Sequence, residues 1–243
     1  MVPPVLLTVN FQHLGSSNFH HESLALNLLL SIKKKKGDVP YTAVADGRIV
    51  KYEVDAYYGI LVVGPTGGLA TQLVTSFEGT RFGFLDALNI DQKTGVIYFV
   101  DAGAIFRIGD RTTIVESRDT SGRLFKYDIR TNQVTLLLTG LSGPVGLSLS
   151  KDSSYVLIIE YIAQRIRRFW LKGPKENSSD VFRKFEGIPD NIRRTVLGDF
   201  WEAIANTKQN ITYSIGQRIN QLGKVVETRH SQLNVMILLL GLL

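Results

Sequence analysis

Two segments of the chain repeat one pattern of hydrophobic and polar positions. The pattern opens with alternating residues, continues through a polar turn and ends in an unbroken apolar run closed by an acid, and it occurs in FLDALNIDQKTGVIYFVD (84–101) and PVGLSLSKDSSYVLIIE (144–160). Alternation indicates a strand with one buried face, whereas a short apolar run between turn residues indicates a strand buried on both faces. Each segment therefore predicts a β-hairpin whose second strand lies inside the core.

Two further segments carry weaker versions of this hairpin. PDNIRRTVLGDFWEAIA (189–205) keeps the opening proline and the apolar run, although Arg193 and Arg194 interrupt its first strand. ESLAL (22–26) followed by YTAVAD (41–46) gives the fourth version. We therefore expect at least four related structural units along the chain.

A basic and aromatic strand follows the apolar run in the best-preserved units. GRLFKYD (122–128) and QRIRRFW (164–170) are near copies, and each precedes a further strand-like segment. Four short antiparallel strands per unit, recurring at intervals of roughly 40 to 60 residues, are typical of the blades of a β-propeller. In that fold each blade covers the apolar face of the next. The predicted fold class is therefore all-β.

The alternation within GRLFKYD predicts which side chains share a face. Leu124 and Lys126 fall on one side of the strand, and Arg123, Phe125 and Tyr127 fall on the other. Arginine and tyrosine can lay their apolar stems on a neighbouring blade while their polar tips stay in water, which suits a half-exposed third strand. A nucleic-acid surface is the alternative interpretation, but the copies of this motif would then lie on different blades.

The spacing of the third-strand motif is uneven. Its copy GRIVKYE (47–53) is followed almost at once by GILVVG (59–64), which also has third-strand character, so we expect half a blade to be absent between them. After residue 205 the pattern decays and leaves a possible strand around 223–227. Because closure of a propeller needs a complete ring, we expect an incomplete propeller with about four to five recognisable blades.

The amino-acid composition limits the functional classes to which the protein can belong. The chain has 243 residues, of which 44% are hydrophobic, so it can bury a sizeable core. Lys and Arg number 28 against 22 Asp and Glu, but they are scattered along strand-like segments, so we expect no nucleic-acid partner. The absence of cysteine excludes disulfides and thiolate sites.

Neither end of the sequence predicts a membrane or secretory signal. The first residues lack the basic and apolar regions of a secretory signal peptide. The apolar run VMILLLGLL (235–243) is far shorter than the roughly 20 residues that span a bilayer. We therefore expect no transmembrane segment, and the apolar run is open to interpretation as a buried strand, an exposed tail or a membrane contact.

An ordered set of segments resembles the plant strictosidine synthase-like family over about residues 22–205. The segments that carry the resemblance are DAYYGILVVGPTGGLATQLVT (55–75), GVIYFVDA (95–102), GLSGPVGLSLSKD (140–152), RFWLKGPK (168–175) and IPDNIRRT (188–195). The resemblance implies a six-bladed propeller in the vacuole or endomembrane lumen, related to paraoxonases and gluconolactonases. It divides the chain into a lead-in (1–21), a propeller region (22–205) and a degenerate or truncated final blade with an apolar tail (206–243).

The resemblance also implies a chemistry. The founding enzymes of the family act in alkaloid biosynthesis as carbon–nitrogen lyases, joining the amine tryptamine to the aldehyde secologanin through an imine that cyclises. They rely on a glutamate of the last blade, and no segment of this chain matches that blade, so the catalytic residue is unknown and we expect impaired activity on a small-molecule substrate. An ester or lactone hydrolase and a non-catalytic propeller are the alternatives.

Site residues follow from the same resemblance. Glu22, Asp190 and Asn191 are the candidates for the mouth of the tunnel. Hydrolytic relatives hold calcium with oxygen ligands at this place, but Leu85 and Val145 stand where asparagines are expected, so we expect no calcium or other cofactor.

Two glycosylation sequons are present. They begin at Asn177 and Asn210. They would carry glycans only if the chain enters the endomembrane lumen.

Overall fold

Four antiparallel sheets of four strands each make up most of the part of the protein that the computed structural model describes, which is residues 41–43, 49–55, 59–63, 69–103, 111–208 and 211–231. Within each sheet the strands lie side by side in chain order. We call these sheets blades 1 to 4. They confirm the predicted all-β class.

The bounds of the elements are as follows. Blade 1 contains β1 (Tyr41–Ala43), β2 (Ile49–Asp55), β3 (Gly59–Val63) and β4 (Thr71–Val74), and a small hairpin of β5 (Ser76–Phe77) and β6 (Thr80–Arg81) follows it. Blade 2 contains β7 (Leu85–Ile90), β8 (Ile97–Asp101), β9 (Gly122–Asp128) and β10 (Gln133–Leu141). Blade 3 contains β11 (Pro144–Leu149), β12 (Tyr155–Glu160), β13 (Arg165–Trp170) and β14 (Ser179–Lys184). Blade 4 contains β15 (Ile188–Arg194), β16 (Phe200–Lys208), β17 (Ile211–Ile219) and β18 (Val225–Ser231).

Within the residues that the structure describes, one short helix interrupts this pattern. The helix α1 (Arg111–Glu116) lies in the connection between β8 and β9. Among the described residues, no helix has the length and apolar character that crossing a membrane would require.

The second strands of blades 2 and 3 are buried on both faces because alternate side chains enter two different cores. In β12, Val156 and Ile158 pack with side chains of blade 2, whereas Leu157 and Ile159 pack with side chains of blade 4. The residues of β8 are divided in the same way between blades 1 and 3. The sheets therefore stack face to face, as the apolar runs predicted.

The first strands of blades 2, 3 and 4 lie next to one another. β11 packs against both β7 and β15, so these three are the inner strands of the stack. Gly146 of β11 lies at a close approach between blades 3 and 4, because a Cβ there would lie 3.1 Å from the Cα of Asn191. We call the end of the sheets where β7, β11 and β15 begin the mouth end, and the opposite end the far end.

GRLFKYD and QRIRRFW form β9 and β13, the third strands of their blades, as predicted. The predicted faces of β9 are also confirmed. Phe125 and Tyr127 enter the core shared with blade 1, and Leu124 enters the core shared with blade 3. In blades 2 and 3 the repeated motif thus marks the third strand.

The interpretation of GILVVG as a third strand is confirmed, whereas that of GRIVKYE as the third strand of a different blade is wrong, because it forms a second strand. GRIVKYE and GILVVG form β2 and β3, which pair with each other in blade 1, with Lys51 opposite Val63 and Asp55 opposite Gly59. The absence of half a blade stays a prediction. Gly59 has a φ of 83°, and a Cβ there would collide with the carbonyl oxygen of Val74, so β3 and β4 approach closely only because this residue is glycine.

The expected decay of the pattern after residue 205 is also wrong as far as Ser231. β16 runs through that position, and β17 and β18 complete blade 4. Adjacent polar or charged residues such as Gln217 and Arg218 break the regular alternation in these outer strands, which hides their strand pattern. The lead-in (1–21) and the apolar run (235–243) lie outside the described residues, and the division into three regions stays a prediction.

Candidate functional site

A β-bulge occurs near the start of each inner strand at the mouth end. The pairing register shifts between Leu85 and Leu88 in β7, between Pro144 and Gly146 in β11, and between Pro189 and Asn191 in β15. Bulges redirect side chains and are common beside functional sites. The mouth end is therefore the candidate site.

The bulges carry two aspartates and a valine. Asp86 lies in the bulge of β7, Val145 in that of β11 and Asp190 in that of β15. Both aspartates are partly exposed, whereas Val145 is buried. Because β11 lies between β7 and β15, the two carboxylate-bearing positions lie at the same end of blades 2 and 4, on the two sides of blade 3.

The sequence-predicted mouth residues lie at this end where the structure describes them. Asp190 and Asn191 belong to the first half of β15, and both are partly exposed. The Asn191 Oδ1 accepts a hydrogen bond of 2.8 Å from the backbone amide of Ile192, which fixes its side chain against its own strand. Glu22 lies outside the described residues. A ligand-binding role for these residues stays a prediction.

Two positions expected to supply oxygen ligands instead belong to apolar cores. Leu85 is 3% exposed and packs between blades 1 and 2, and Val145 is 4% exposed and packs between blades 3 and 4. Neither side chain has a donor atom for calcium, which prefers oxygen. In the described ranges, no group of three or more His, Cys, Asp or Glu is placed to hold a metal ion. The expectation of no calcium remains a prediction.

Asp101, the acid that closes the apolar run of blade 2, is buried and fully engaged. Its carboxylate accepts hydrogen bonds from the backbone amides of Gly83, Phe84 and Gly103, at 3.1, 2.8 and 3.1 Å. Arg123 of β9 donates a fourth at 2.7 Å. Burial alone would raise the pKa of Asp101, but these hydrogen bonds outweigh it and hold the pKa below its ordinary value.

Glu160 has the same position and the same role in blade 3. Its side chain is inaccessible to solvent and accepts a hydrogen bond of 2.8 Å from the backbone amide of Ser142. Arg165 Nη2 and Arg167 Nε donate to it at 3.1 and 3.0 Å. Burial would raise the pKa of Glu160, but the hydrogen bonds from both arginines and from the amide lower it below the ordinary value.

These contacts explain the first arginine of the third-strand motif. Arg123 lies opposite Asp101, and Arg165 lies opposite Glu160, in the pairing of the second and third strands. Each guanidinium binds a buried acid, a partner that the sequence did not predict, while the two side chains stay 23% and 25% exposed. The sequence shows both the acid and the arginine of each pair, but it does not show the strand register that brings them together.

Blade 4 departs from this arrangement. Ile204 of β16 lies opposite Pro189, in the place that the acid has in blade 3, and the acid Glu202 lies two residues earlier on the same face. Glu202 is inaccessible to solvent, and its Oε1 is 3.0 Å from Nε of Arg183 in β14. The N–H of Arg183 is not aimed at the carboxylate, so the contact is an ion pair without a hydrogen bond. Burial raises the pKa of Glu202 to about 7, although Arg183 opposes the shift.

The raised pKa of Glu202 makes the stability of the protein depend on pH. Between the ordinary value of 4.5 and about 7 the folded protein retains a proton that the unfolded chain has released. The stabilisation is complete below 4.5 and is lost as the pH rises through 7, so we expect the free energy of unfolding to fall by about 2–3 kcal/mol between about pH 5 and pH 8. Urea denaturation of wild type and Glu202→Gln at both pH values tests this.

The variant should not show this loss, and its difference from wild type isolates the one carboxyl group. Glu176→Gln, at an exposed loop position of blade 3, is the matched control and should keep the wild-type pH dependence. An equal loss in wild type and Glu202→Gln would contradict the assignment.

A cleft lies at the far end of the sheets, away from the predicted site. Its volume is about 390 Å³, and it is lined by Lys93, Ser150, Lys151, Asp152, Tyr155 and Gln221. These residues come from the turn after β7, the turn between β11 and β12 with the start of β12, and the turn after β17. Sequence reasoning missed this cleft because three turns that are distant in the chain build it.

The chain is similar in sequence to strictosidine synthases. Residues 86–174 match the sequence model of the family described as strictosidine synthase. The chain is 43% identical over 179 residues to the protein strictosidine synthase-like 10 of Arabidopsis thaliana, and 37% identical over 182 residues to strictosidine synthase of Catharanthus roseus. These alignments cover 74% and 72% of this chain but 45% and 51% of the relatives. The chain thus spans about half the length of the curated relatives that it matches.

Solved structures share the fold at low sequence identity. A gluconolactonase from Xanthomonas campestris has a TM-score of 0.56 at 16% identity, covering 76% of this chain and 59% of its own. The calcium-binding protein regucalcin from Agrobacterium tumefaciens has a TM-score of 0.55 at 13% identity, covering 77% of this chain and 58% of its own. This likeness concerns the fold alone, and it confirms the β-propeller architecture predicted from the sequence.

Proposed function

The chain belongs to the strictosidine synthase-like family, and from that premise we propose that it binds a small organic amine at the mouth end. The observation that carries the proposal is the placement of Asp86 and Asp190 in equivalent bulges of β7 and β15, the inner strands on the two sides of β11. Carboxylates attract a protonated amine, and they also stabilise the iminium that forms when an amine condenses with an aldehyde. Of the two substrates of the founding enzymes, the amine is the one that these carboxylates would bind.

We propose that condensation itself is weak in this chain. A general base needs a free lone pair and a pKa near the working pH. Asp101 and Glu160, the buried acids at the mouth end, have lowered pKa values and accept hydrogen bonds from arginines and backbone amides. Their contacts support a structural role. A binding protein of the family, with little turnover of its own, is therefore the function that the described residues support best.

Titration calorimetry with tryptamine tests the proposed site. We expect Asp190→Asn to weaken binding about tenfold, because loss of one carboxylate beside the ammonium removes roughly 1.4 kcal/mol. The uncharged analogue 3-methylindole should bind wild type and variant alike. Asp128→Asn, which changes an aspartate at the end of β9 and thus at the far end, is the matched control and should leave tryptamine binding unchanged.

Three results would contradict the proposal. Equal affinity of wild type and Asp190→Asn for tryptamine would remove Asp190 from the site. Robust condensation of tryptamine with secologanin would show that the chain is a competent synthase. Calcium-dependent hydrolysis of phenyl acetate would favour the hydrolase alternative, and would also show that Leu85 and Val145 do not prevent calcium binding.

Residence in the vacuole or endomembrane lumen is part of this proposal. Asn177, the first residue of one sequon, is exposed in the loop between β13 and β14, where a glycan would meet no neighbouring strand. Asn210 lies outside the described residues. A shift in electrophoretic mobility on glycosidase treatment, lost in Asn177→Gln, would support entry into the lumen.

A further inference from the structure

Large aliphatic side chains are exposed at the far end of the sheets. Val196 and Leu197 are 88% and 79% exposed in the turn between β15 and β16, and Leu222 is 87% exposed in the turn between β17 and β18. Leu69, which is 96% exposed, lies just before β4 and therefore at the same end. Single exposed apolar residues are ordinary, but their concentration at one end of a molecule marks an interaction surface.

Two of these aliphatic turns border the far-end cleft. A Cβ at Gly198 would lie 2.9 Å from Nε2 of Gln221 and 3.4 Å from Cδ of Lys151, which are both cleft residues. Leu197 precedes Gly198 in the chain, and Leu222 follows Gln221. The aliphatic side chains of these two turns therefore protrude at the edge of the cleft.

Positively charged side chains predominate beside this surface. Asp152 accepts hydrogen bonds from the hydroxyls of Ser150 and Ser154, both at 2.8 Å, and Asp199 is paired with an arginine of β17 at 2.6 Å. In contrast, three lysines of the neighbouring turns form no ion pair within the part of the chain that the structure describes. These are Lys93, Lys151 and Lys224. Asp199 is thus neutralised by an arginine, whereas Asp152 keeps its charge and is outnumbered by the three lysines, which remain available to an anionic partner.

We propose that the far end docks on a bilayer that contains anionic phospholipids. Val196, Leu197 and Leu222 would enter the boundary between headgroups and acyl chains, while the lysines contact lipid phosphates. A bilayer accommodates side chains that protrude singly, whereas a protein partner needs a continuous complementary surface, usually with aromatic anchors. The large hydrophobic residues exposed in the described ranges are all aliphatic, which favours the bilayer.

This orientation has a consequence for the mouth end. The inner strands run from the mouth end to the far end, so docking by the far end directs the mouth away from the lipid surface. A ligand would reach the mouth from the aqueous side without crossing the docking surface. Membrane binding is therefore independent of the proposed amine site.

Vesicle co-sedimentation of the full chain tests the proposal. Wild type should bind vesicles of phosphatidylcholine mixed with phosphatidylserine, but not vesicles of phosphatidylcholine alone, and added salt should weaken the binding because the lysines are exposed. Leu197→Ser combined with Leu222→Ser should reduce binding at least tenfold. Lys151→Glu should reduce it at least threefold and only for the anionic vesicles.

Matched changes elsewhere on the surface serve as controls. Val181→Ser replaces a 44% exposed valine in the middle of β14, and Lys184→Glu reverses an exposed charge at the mouth end of the same strand. Both should bind as wild type does. Each variant keeps the apolar run 235–243, so binding by that segment would survive in all of them and would overturn the proposal.

Three other outcomes would also overturn the proposal. The first is no binding of wild type to anionic vesicles, and the second is equal loss in the control variants. The third is tight binding of inorganic phosphate, used as a soluble probe, without vesicle binding, which would assign the cleft to a free anion.

Discussion

Replacing Glu160 by glutamine is expected to destabilise the protein by about 3–5 kcal/mol, the cost typical of removing one partner from a buried ion pair. The variant has nearly the same shape, so the loss reports charge and hydrogen bonding. Glu160 has no solvent contact, while Arg165 and Arg167 are 25% and 19% exposed and would keep their charges beside a neutral amide. The backbone amide of Ser142 would lose a charged acceptor as well.

Urea denaturation at about pH 7 measures this loss. A fall in the midpoint with an unchanged slope would show that stability, and not the compactness of the unfolded state, has changed. Glu176→Gln, at an exposed position of the same blade, should cause no measurable change. A loss below about 1 kcal/mol for Glu160→Gln would mean that water can replace the carboxylate as the partner of the two arginines.

The glutamate contributes most at neutral pH and least in acid. Its folded-state pKa lies below the ordinary value, so its contribution is present above that value and is lost as the pH falls through the folded-state pKa. Glu160→Gln should therefore approach wild-type stability in strong acid. Glu202→Gln should show the opposite dependence, because the pKa of Glu202 is raised. The two glutamates thus test the link between a shifted pKa and stability, with opposite expected dependences on pH.

Replacing Phe125 by alanine is expected to cost about 3–5 kcal/mol. Phe125 is inaccessible to solvent and lies in the core between blades 1 and 2. Its ring centroid is 5.2 Å from that of Phe99 in a stacked arrangement, and 5.3 and 5.4 Å from those of Phe77 and Phe82. Aromatic pairs at these distances add to the free energy of burial. Alanine would leave a cavity with three rings around it.

Leucine at the same position distinguishes a cavity from a loss of ring contacts. Phe125→Leu keeps much of the buried volume and is expected to cost clearly less than Phe125→Ala, about 1–2 kcal/mol. Denaturant titrations of both variants, with intact wild-type slope, give the comparison. Equal losses for alanine and leucine would show that ring geometry, and not filled volume, stabilises this core.

The apolar runs were the part of the fold that the sequence predicted well. Their length and flanking turns identify β8 and β12 as strands with two buried faces, and burial on both faces requires blades on both sides. Blade 1 was misassigned because GRIVKYE alternates as a third strand does, although it is the second strand there. Alternation reports which faces are buried, and it does not report the order of strands in a sheet.

The candidate site was predictable only in part. The resemblance placed Asp190 and Asn191 at the tunnel mouth, and both lie at the mouth end of β15. The pairing of Asp101 with Arg123 depends on the register between β8 and β9, which the alternation within each strand does not specify. The far-end cleft joins turns distant in the chain, so no local pattern could indicate it.

Asp101 and Glu160, the buried acids at the mouth end, each bind the segment that connects their blade to the preceding one. In both cases the two partners are close in the sequence. Glu160 binds the amide of Ser142 across 18 residues, and Asp101 binds that of Phe84 across 17. Loops of this size cost little entropy to close, and contacts that are local in sequence form quickly. We therefore expect each joint between blades to form during synthesis as soon as its own acid and arginine leave the ribosome, without waiting for a ring to close.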